Sequence, residues 1–117
     1  MNRNEFSEVV DTVIADLPVW VVEQLDNLIV VVEDRPTRQQ DPSGDGILGI
    51  YEGVPLSERG VDYFGFSPDQ IVIFYLPHLG LGFDDDKLAT EIRVTVLHEI
   101  AHHLGIDDQR LHELGWG

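Results

Sequence analysis

The sequence contains no cysteine and one methionine, and only 7 of its 117 residues are lysine or arginine. Without cysteine, disulfides and thiolate metal sites are excluded, so any metal must be bound by histidine, aspartate or glutamate side chains. No apolar stretch approaches the roughly 20 residues that span a membrane, and no apolar segment follows the first few residues. We therefore expect a cytoplasmic protein with no membrane partner, and the lack of cysteine fits a reducing compartment.

The second shortage is of positive charge, because 22 acidic residues give a formal net charge of −15. Such a chain repels phosphate backbones, so no nucleic-acid partner is expected. The charge is most simply a feature of a soluble surface. A length of 117 residues and an apolar fraction of 43% favour one folded domain over residues 1–117. The sequence does not indicate an oligomeric state.

The first two thirds of the chain predict one or two helices followed by strands. Apolar residues recur every three or four positions from Phe6 to Leu17, which indicates one apolar helix face. Pro18 ends this helix and suits the first turn of a second, short one. Three short runs rich in β-branched residues predict strands, at 28–32, 47–54 and 71–76. We expect the first run to be a buried strand and residues 34–46 to form a loop.

The last third predicts a long helix and a short one. Aspartates at 84–86 favour a helix start, and apolar residues continue to Leu104. Gly105 suits the left-handed residue that ends a helix, and a last helix is predicted at about 108–114. The order of elements predicts an α+β protein, in which a small mixed β-sheet packs on a central helix flanked by N-terminal and C-terminal helices.

The central helix carries a pattern that points to a metal site. Residues 98–102 are His-Glu-Ile-Ala-His, and positions i and i+4 share one helix face. His98 and His102 can therefore bind one metal ion, with Glu99 about 100° further round the helix as a general base. A zinc site of this kind needs a third protein ligand. After the turn at Gly105, the position of that ligand is occupied by Asp108, whose carboxylate is suitable.

These residues resemble the active helix of the minimal zincins, small bacterial proteins regarded as zinc metallopeptidases. The similarity covers 98–108 and extends to 31–36, 48–59 and 68–75. The resemblance implies a zincin-like fold with one zinc ion per chain beneath a small sheet. It also implies zinc ligands at His98, His102 and Asp108, a catalytic glutamate at Glu99, and a peptide or protein substrate.

Other side chains have weaker claims. His112 lies four residues after Asp108, so on a helix both would face the same way, and His112 could contact a ligand, the substrate or the metal. His103 is expected to have a structural role near the helix C-terminus, where positive charge is favoured. We expect His78 to lie in a surface loop. Tyrosines could donate a hydrogen bond to a reaction intermediate, although packing is the simpler role; they are Tyr51, Tyr63 and Tyr75.

A second metal pattern overlaps the loop and the second strand. The spacing of an EF-hand calcium loop is matched by Asp41, Ser43, Asp45, Gly46 and Glu52. An EF-hand needs a helix on each side of its loop, whereas residues 47–54 are predicted to form a strand. We therefore do not expect calcium binding here.

Two alternatives to a peptidase stay open at this point. In the first, zinc only stabilises a module that binds another protein, although a structural site has no need of Glu99. In the second, the chain is a metal-dependent ribonuclease, because Gly105 and Asp107 fit the spacing of ribosomal-RNA maturation proteins; the net charge disfavours it. For a peptidase, we expect an extended peptide to pair with an exposed strand edge at 71–75.

Overall fold

A computed structural model describes residues 1–60 and 68–114 of the chain. Its elements in chain order are α1 (Arg3–Ala15), α2 (Val19–Val22), β1 (Leu28–Glu33), β2 (Gly49–Glu52), a 3-10 helix (Leu56–Glu58), β3 (Asp69–Phe74), α3 (Tyr75–Leu79), α4 (Asp85–Leu104) and α5 (Asp108–Leu114). The predicted α+β class is confirmed, because a mixed sheet packs against the long helix α4. Tyr63 lies outside the described residues.

The sheet has three strands in the order β1–β3–β2. Strand β1 runs parallel to β3, with Val30 opposite Ile71, and β2 runs antiparallel to β3, with Tyr51 also opposite Ile71. The prediction that 71–75 offers an exposed edge is wrong, because β3 is paired on both sides. The run at 28–32 is not a fully buried strand either, since β1 lies at the edge and Ile29 is 43% exposed.

Local signals set the ends of the two longest helices. Asn2 and Glu5 form a reciprocal capping box at the start of α1, with hydrogen bonds of 2.8 and 2.9 Å. The carboxylate of Asp84 caps α4 by accepting the backbone N–H of Lys87 over 2.9 Å. The apolar faces of α1, α4 and the sheet pack together to form the core. Its largest buried side chains include Phe6, Phe74, Ile71, Ile73, Leu88, Ile92 and Ile100.

The short helix α3 was not predicted, and it changes the position of His78. Instead of lying in a surface loop, His78 is fully buried. Its Nδ1–H donates to the carbonyl of Phe74 over 2.7 Å, and its Nε2 lies 2.9 Å from Oγ1 of Thr95 on α4. Its ring also packs edge-to-face on Phe6 at 5.2 Å between centroids. Because both ring nitrogens have partners, the imidazole is accommodated in the core.

The segment that matched an EF-hand loop is built differently. Strand β2 occupies its last four positions, where the second helix of an EF-hand would begin. The carboxylate of Asp41 accepts the backbone N–H groups of Asp45 (3.0 Å) and Gly46 (2.9 Å), which makes it a local turn former. Glu52 accepts a hydrogen bond of 3.0 Å from the side chain of Gln40. The expectation that calcium does not bind here stays a prediction.

Within residues 1–60 and 68–114, no helix combines the length and the apolar character that a membrane crossing requires.

Candidate metal centre

The imidazoles of His98 and His102 lie one turn apart on α4, with their ring centroids 4.5 Å from each other. After the turn at Gly105, Asp108 begins α5. Its Oδ1 lies 3.7 Å from Nε2 of His98 and 3.7 Å from Nε2 of His102. The structure therefore brings together the three side chains that the sequence predicts as zinc ligands. All three are accessible, since their side chains are 36%, 37% and 83% exposed, respectively.

The donor atoms fit a zinc ion in chemistry and in spacing. Two imidazole nitrogens and one carboxylate oxygen are a common ligand set of catalytic zinc sites, which leave a fourth position open. Zinc–ligand distances of about 2.0–2.2 Å in a tetrahedral site place neighbouring ligand atoms roughly 3.4 Å apart. The separations of 3.7 Å from Asp108 to each histidine are within a few tenths of an ångström of that value.

Glu99 lies beside these three side chains, but it contacts the Nδ1 edge of the His102 ring and not the Nε2 edge. One of its oxygens belongs to a set of potential ligand atoms, shared with His98 and His102, that all lie within 4.8 Å of one another. However, the Nδ1–H of His102 donates to Oε1 of Glu99 over 3.0 Å, whereas the Nε2 atom of the same ring faces Asp108. The chelating position therefore fits Asp108 better than Glu99. The hydrogen bond to Glu99 raises the pKa of His102, although burial opposes it.

Strand β2 covers Glu99, which is only 7% exposed. A Cβ atom added to Gly49 would lie 2.8 Å from Cγ2 of Thr95 and 3.4 Å from Cγ of Glu99. The strand thus passes directly over this turn of α4, and only glycine allows so close an approach. The carboxylate of Glu99 is consequently held between the sheet edge and the imidazole of His102.

The turn between α4 and α5 determines where Asp108 lies. Gly105 has φ +80°, the left-handed conformation that glycine adopts without strain. A Cβ atom at Gly105 would lie 2.2 Å from Oγ of Ser57 in the 3-10 helix, so the turn packs closely against that segment. Asp107 then caps α5, because its Oδ1 accepts the backbone N–H of Arg110 over 2.8 Å.

His112 is exposed on α5, and neither His112 nor Asp108 belongs to the 4.8 Å group of His98, Glu99 and His102. Asp108 nevertheless lies 3.7 Å from the Nε2 atoms of both histidines, so the predicted ligands and the predicted base lie together. A cavity of about 340 Å³ adjoins His102 and Gly105. A larger cavity of about 620 Å³ lies between α1 and α4, away from these groups, so cavity size is no guide to the chemistry here.

Sequence reasoning missed a buried polar cluster beside the candidate centre. At its middle is Asp69, which is 2% exposed. Its carboxylate accepts hydrogen bonds from the hydroxyl of Tyr51, from Nη2 of Arg59 (2.6 Å), from Nδ1 of His103 (2.9 Å) and from the backbone N–H of Val54 (3.3 Å). The one available signal was an aspartate two residues before the apolar run at 71–76, which does not identify its partners.

The cluster has a clear charge assignment. Burial by itself would raise the pKa of Asp69, but the hydrogen bonds from Tyr51, Arg59 and His103 outweigh it, and the pKa lies below its ordinary value. Burial lowers the pKa of His103, which is fully buried. His103 therefore has the expected structural role, but as a neutral ring: Nδ1–H donates to Asp69 and Nε2 accepts the N–H of Asp26 over 3.3 Å. Burial and the Asp69 carboxylate raise the pKa of Tyr51, which keeps it a donor.

The family comparison agrees with the fold. The family model for zincin-like metallopeptidases matches residues 25–116. Because the match covers far more than half of the chain, the protein belongs to the zincin-like metallopeptidase family. The resemblance to minimal zincins and the zincin-like fold are thereby confirmed. No curated protein matches the chain.

Proposed function

We propose that this protein is a zinc-dependent peptidase that binds one zinc ion per chain through His98, His102 and Asp108. The observation that carries the proposal is the approach of Oδ1 of Asp108 to 3.7 Å from the Nε2 atoms of both histidines. These ligands come from two helices separated by a glycine turn. Family membership supports zinc and peptide hydrolysis as the chemistry of this group.

The roles of the side chains follow from their positions. When bound, zinc supplies Lewis acidity toward the scissile carbonyl and the attacking water. Glu99 accepts the proton of that water and passes it to the leaving amine. Its burial under β2 keeps this carboxylate next to the ligands. An extended peptide would pair with the outer edge of β2, the strand that crosses over Glu99, rather than with the central strand β3.

The other functions are less well supported. A ribonuclease would have to bind a polyanion with a chain of net charge −15. In addition, Asp107, which suggested the ribonuclease spacing, caps α5. A non-catalytic zinc module is favoured by one observation, the hydrogen bond from His102 to Glu99, because a carboxylate that orients a ligand needs no further role. The experiment must therefore separate the binding of zinc from catalysis.

Zinc content and hydrolysis of a peptide library are measured on the same preparations of wild-type, Glu99→Gln and His102→Ala protein. We expect about one zinc per chain in wild type and in Glu99→Gln, and little in His102→Ala. Hydrolysis should fall by about 100-fold or more in Glu99→Gln, as expected for loss of a general base. Glu113→Gln, which neutralises an exposed carboxylate on α5, is the matched control and should behave as wild type.

Two results would contradict the proposal. If wild-type protein binds no zinc after zinc is added and the excess removed, there is no metal centre. If wild-type protein and Glu99→Gln both bind zinc and cleave peptides at the same rate, Glu99 is not the base. Zinc binding without any hydrolysis in wild type would instead favour the non-catalytic module.

A further inference from the structure

We propose that Asp69, Arg59 and His103 are positioning residues, which fix the relative placement of the two helices that carry the zinc ligands. The inference rests on the proposed function, because it concerns the ligands assigned there. None of the three reaches the group of ligand atoms on α4, yet two separate contact paths lead from Asp69 to the ligands.

The first path runs through His103, which follows His102 directly in the sequence. Its Nδ1–H donates to Asp69 at the start of β3 over 2.9 Å, and its Nε2 accepts the backbone N–H of Asp26 before β1 over 3.3 Å. The ring also packs edge-to-face on Tyr51 of β2 at 5.9 Å between centroids. One side chain thus attaches the last turn of α4 to segments at all three strands of the sheet.

The second path runs through the 3-10 helix. Arg59 follows this helix, and its guanidinium donates to Asp69 (2.6 Å) and to the carbonyl of Val54 (2.9 Å), which precedes the helix. Both ends of the segment are therefore held at Asp69. Between them, Ser57 packs against Gly105, where a Cβ atom would lie 2.2 Å from its Oγ. The position of the segment thus limits where the turn between α4 and α5, and hence Asp108, can lie.

The cluster is closely packed, as a device that fixes geometry requires. The side chains of Arg59 and Asp69 are 8% and 3% exposed. Gly53 packs so closely on this carboxylate that a Cβ atom would lie 2.4 Å from Cγ of Asp69. A buried ion pair with several additional hydrogen bonds is costly to rearrange, because any displaced polar group loses partners without gaining water. We expect the ligands to inherit this rigidity.

The test measures zinc affinity rather than activity. Metal-free Asp69→Asn, His103→Ala and wild-type protein are titrated with zinc against a chromophoric chelator, and with Co²⁺ for its visible absorption. Circular dichroism establishes that each variant is folded at the measuring temperature. Zinc Kd should rise roughly 10-fold to 100-fold in both variants, the range typical for loss of groups that orient metal ligands. The Co²⁺ bands should change in intensity, because the coordination geometry changes.

Two controls separate positioning from simple destabilisation. Val10→Ala removes buried methyl groups between α1 and α4, so it should lower Tm but leave the zinc Kd and the Co²⁺ spectrum unchanged. His103→Asn should restore most of the affinity lost in His103→Ala, since its amide N–H can replace Nδ1–H. If Asp69→Asn does not fold, Tyr51→Phe removes one donor to Asp69 and should raise Kd a few-fold.

The positioning role is overturned if the variants of Asp69 and His103 are folded, lose Tm as Val10→Ala does, and bind zinc and Co²⁺ as wild type does. That result differs from failure of the proposed function, in which wild-type protein itself binds no zinc.

Discussion

The Nδ1–H of His103 donates to the carboxylate of Asp69 over 2.9 Å, although the two residues lie 34 positions apart in the sequence. This contact joins the last turn of the helix that carries the proposed metal ligands to the first residue of the central strand. Because the carboxylate also accepts from Arg59 and Tyr51, its replacement affects several elements at once. The contribution of the Asp69 carboxylate to stability should therefore depend measurably on pH.

The first prediction concerns the stability of metal-free Asp69→Asn. Removing one charge of a buried ion pair should lower the free energy of unfolding by about 3 kcal/mol near neutral pH. The pKa of Asp69 is lowered in the folded state, so its contribution is complete above the unfolded value of about 3.9 and is lost as the pH falls through the folded value. Urea unfolding should therefore show a gap to wild type near pH 7 that narrows once the pH falls below about 4. A gap that does not narrow in that acid range would contradict this.

The second prediction concerns His78, whose burial lowers its pKa against the opposing effects of the Phe74 carbonyl and the Glu91 charge. The unfolded chain, with a pKa of about 6.5, then binds a proton before the folded chain does, so acidification below about pH 6.5 destabilises the fold. His78→Gln should cost about 1–3 kcal/mol at pH 7.5 and weaken this acid dependence. Part of the acid dependence should remain in this variant, because the pKa of His103 is also lowered. His112→Gln, which alters an exposed ring, should leave the urea-unfolding profile as in wild type.

The third prediction concerns the turn at Gly105. Gly105→Ala places a side chain at φ +80° and brings its Cβ to 2.2 Å from Oγ of Ser57. The left-handed conformation alone costs roughly 1–2 kcal/mol, and the clash should add to it while shifting Asp108 and weakening zinc binding. Ser57→Gly in the same chain should recover the part due to the clash, which a double-mutant cycle of unfolding free energies measures. Simple additivity of the two changes would show that Ser57 does not limit the turn.

The fourth prediction distinguishes the candidates for the third ligand. Asp108→Ala should weaken zinc binding by more than the roughly 10-fold to 100-fold that loss of a supporting group costs, because a direct ligand is removed. His112→Ala should retain wild-type affinity, since the approach of Asp108 Oδ1 to 3.7 Å from the Nε2 atoms of both histidines already supplies the third ligand. Competition with a chelator measures both. The reverse order of effects would assign the third ligand to His112 instead.

Much of the candidate centre follows from the sequence, because the rules that place it are local. His98 and His102 lie one turn apart on any regular helix, and Gly105 ends that helix by its own conformational freedom. The capping residues of α1 and α4 act within three positions of the chain. For the same reason, the sequence predicts the order of helices and strands well, with ends that differ by a few residues.

Strand order, by contrast, depends on which segments pair, and periodicity carries no information about partners. Only the tertiary structure shows that β3 is the central strand, paired on both sides, and that β2 lies at an edge of the sheet. Similarly, His78 follows a strand in a segment that carries little pattern, and its burial depends on Thr95, 17 positions away. The sequence shows that a polar residue is present, but not whether the folded core supplies a hydrogen-bond partner for it.

The sequence alone therefore determined the metal-binding pattern, the secondary structure around it and the family resemblance, since each depends on neighbours within a turn or two. Only the tertiary structure decided that Asp108 approaches both histidines, that β2 covers Glu99, and that Asp69 joins the sheet, the 3-10 helix and α4. The physical reason is that a buried charge must find its hydrogen-bond partners wherever the folded chain brings them, at sequence separations that no local pattern records.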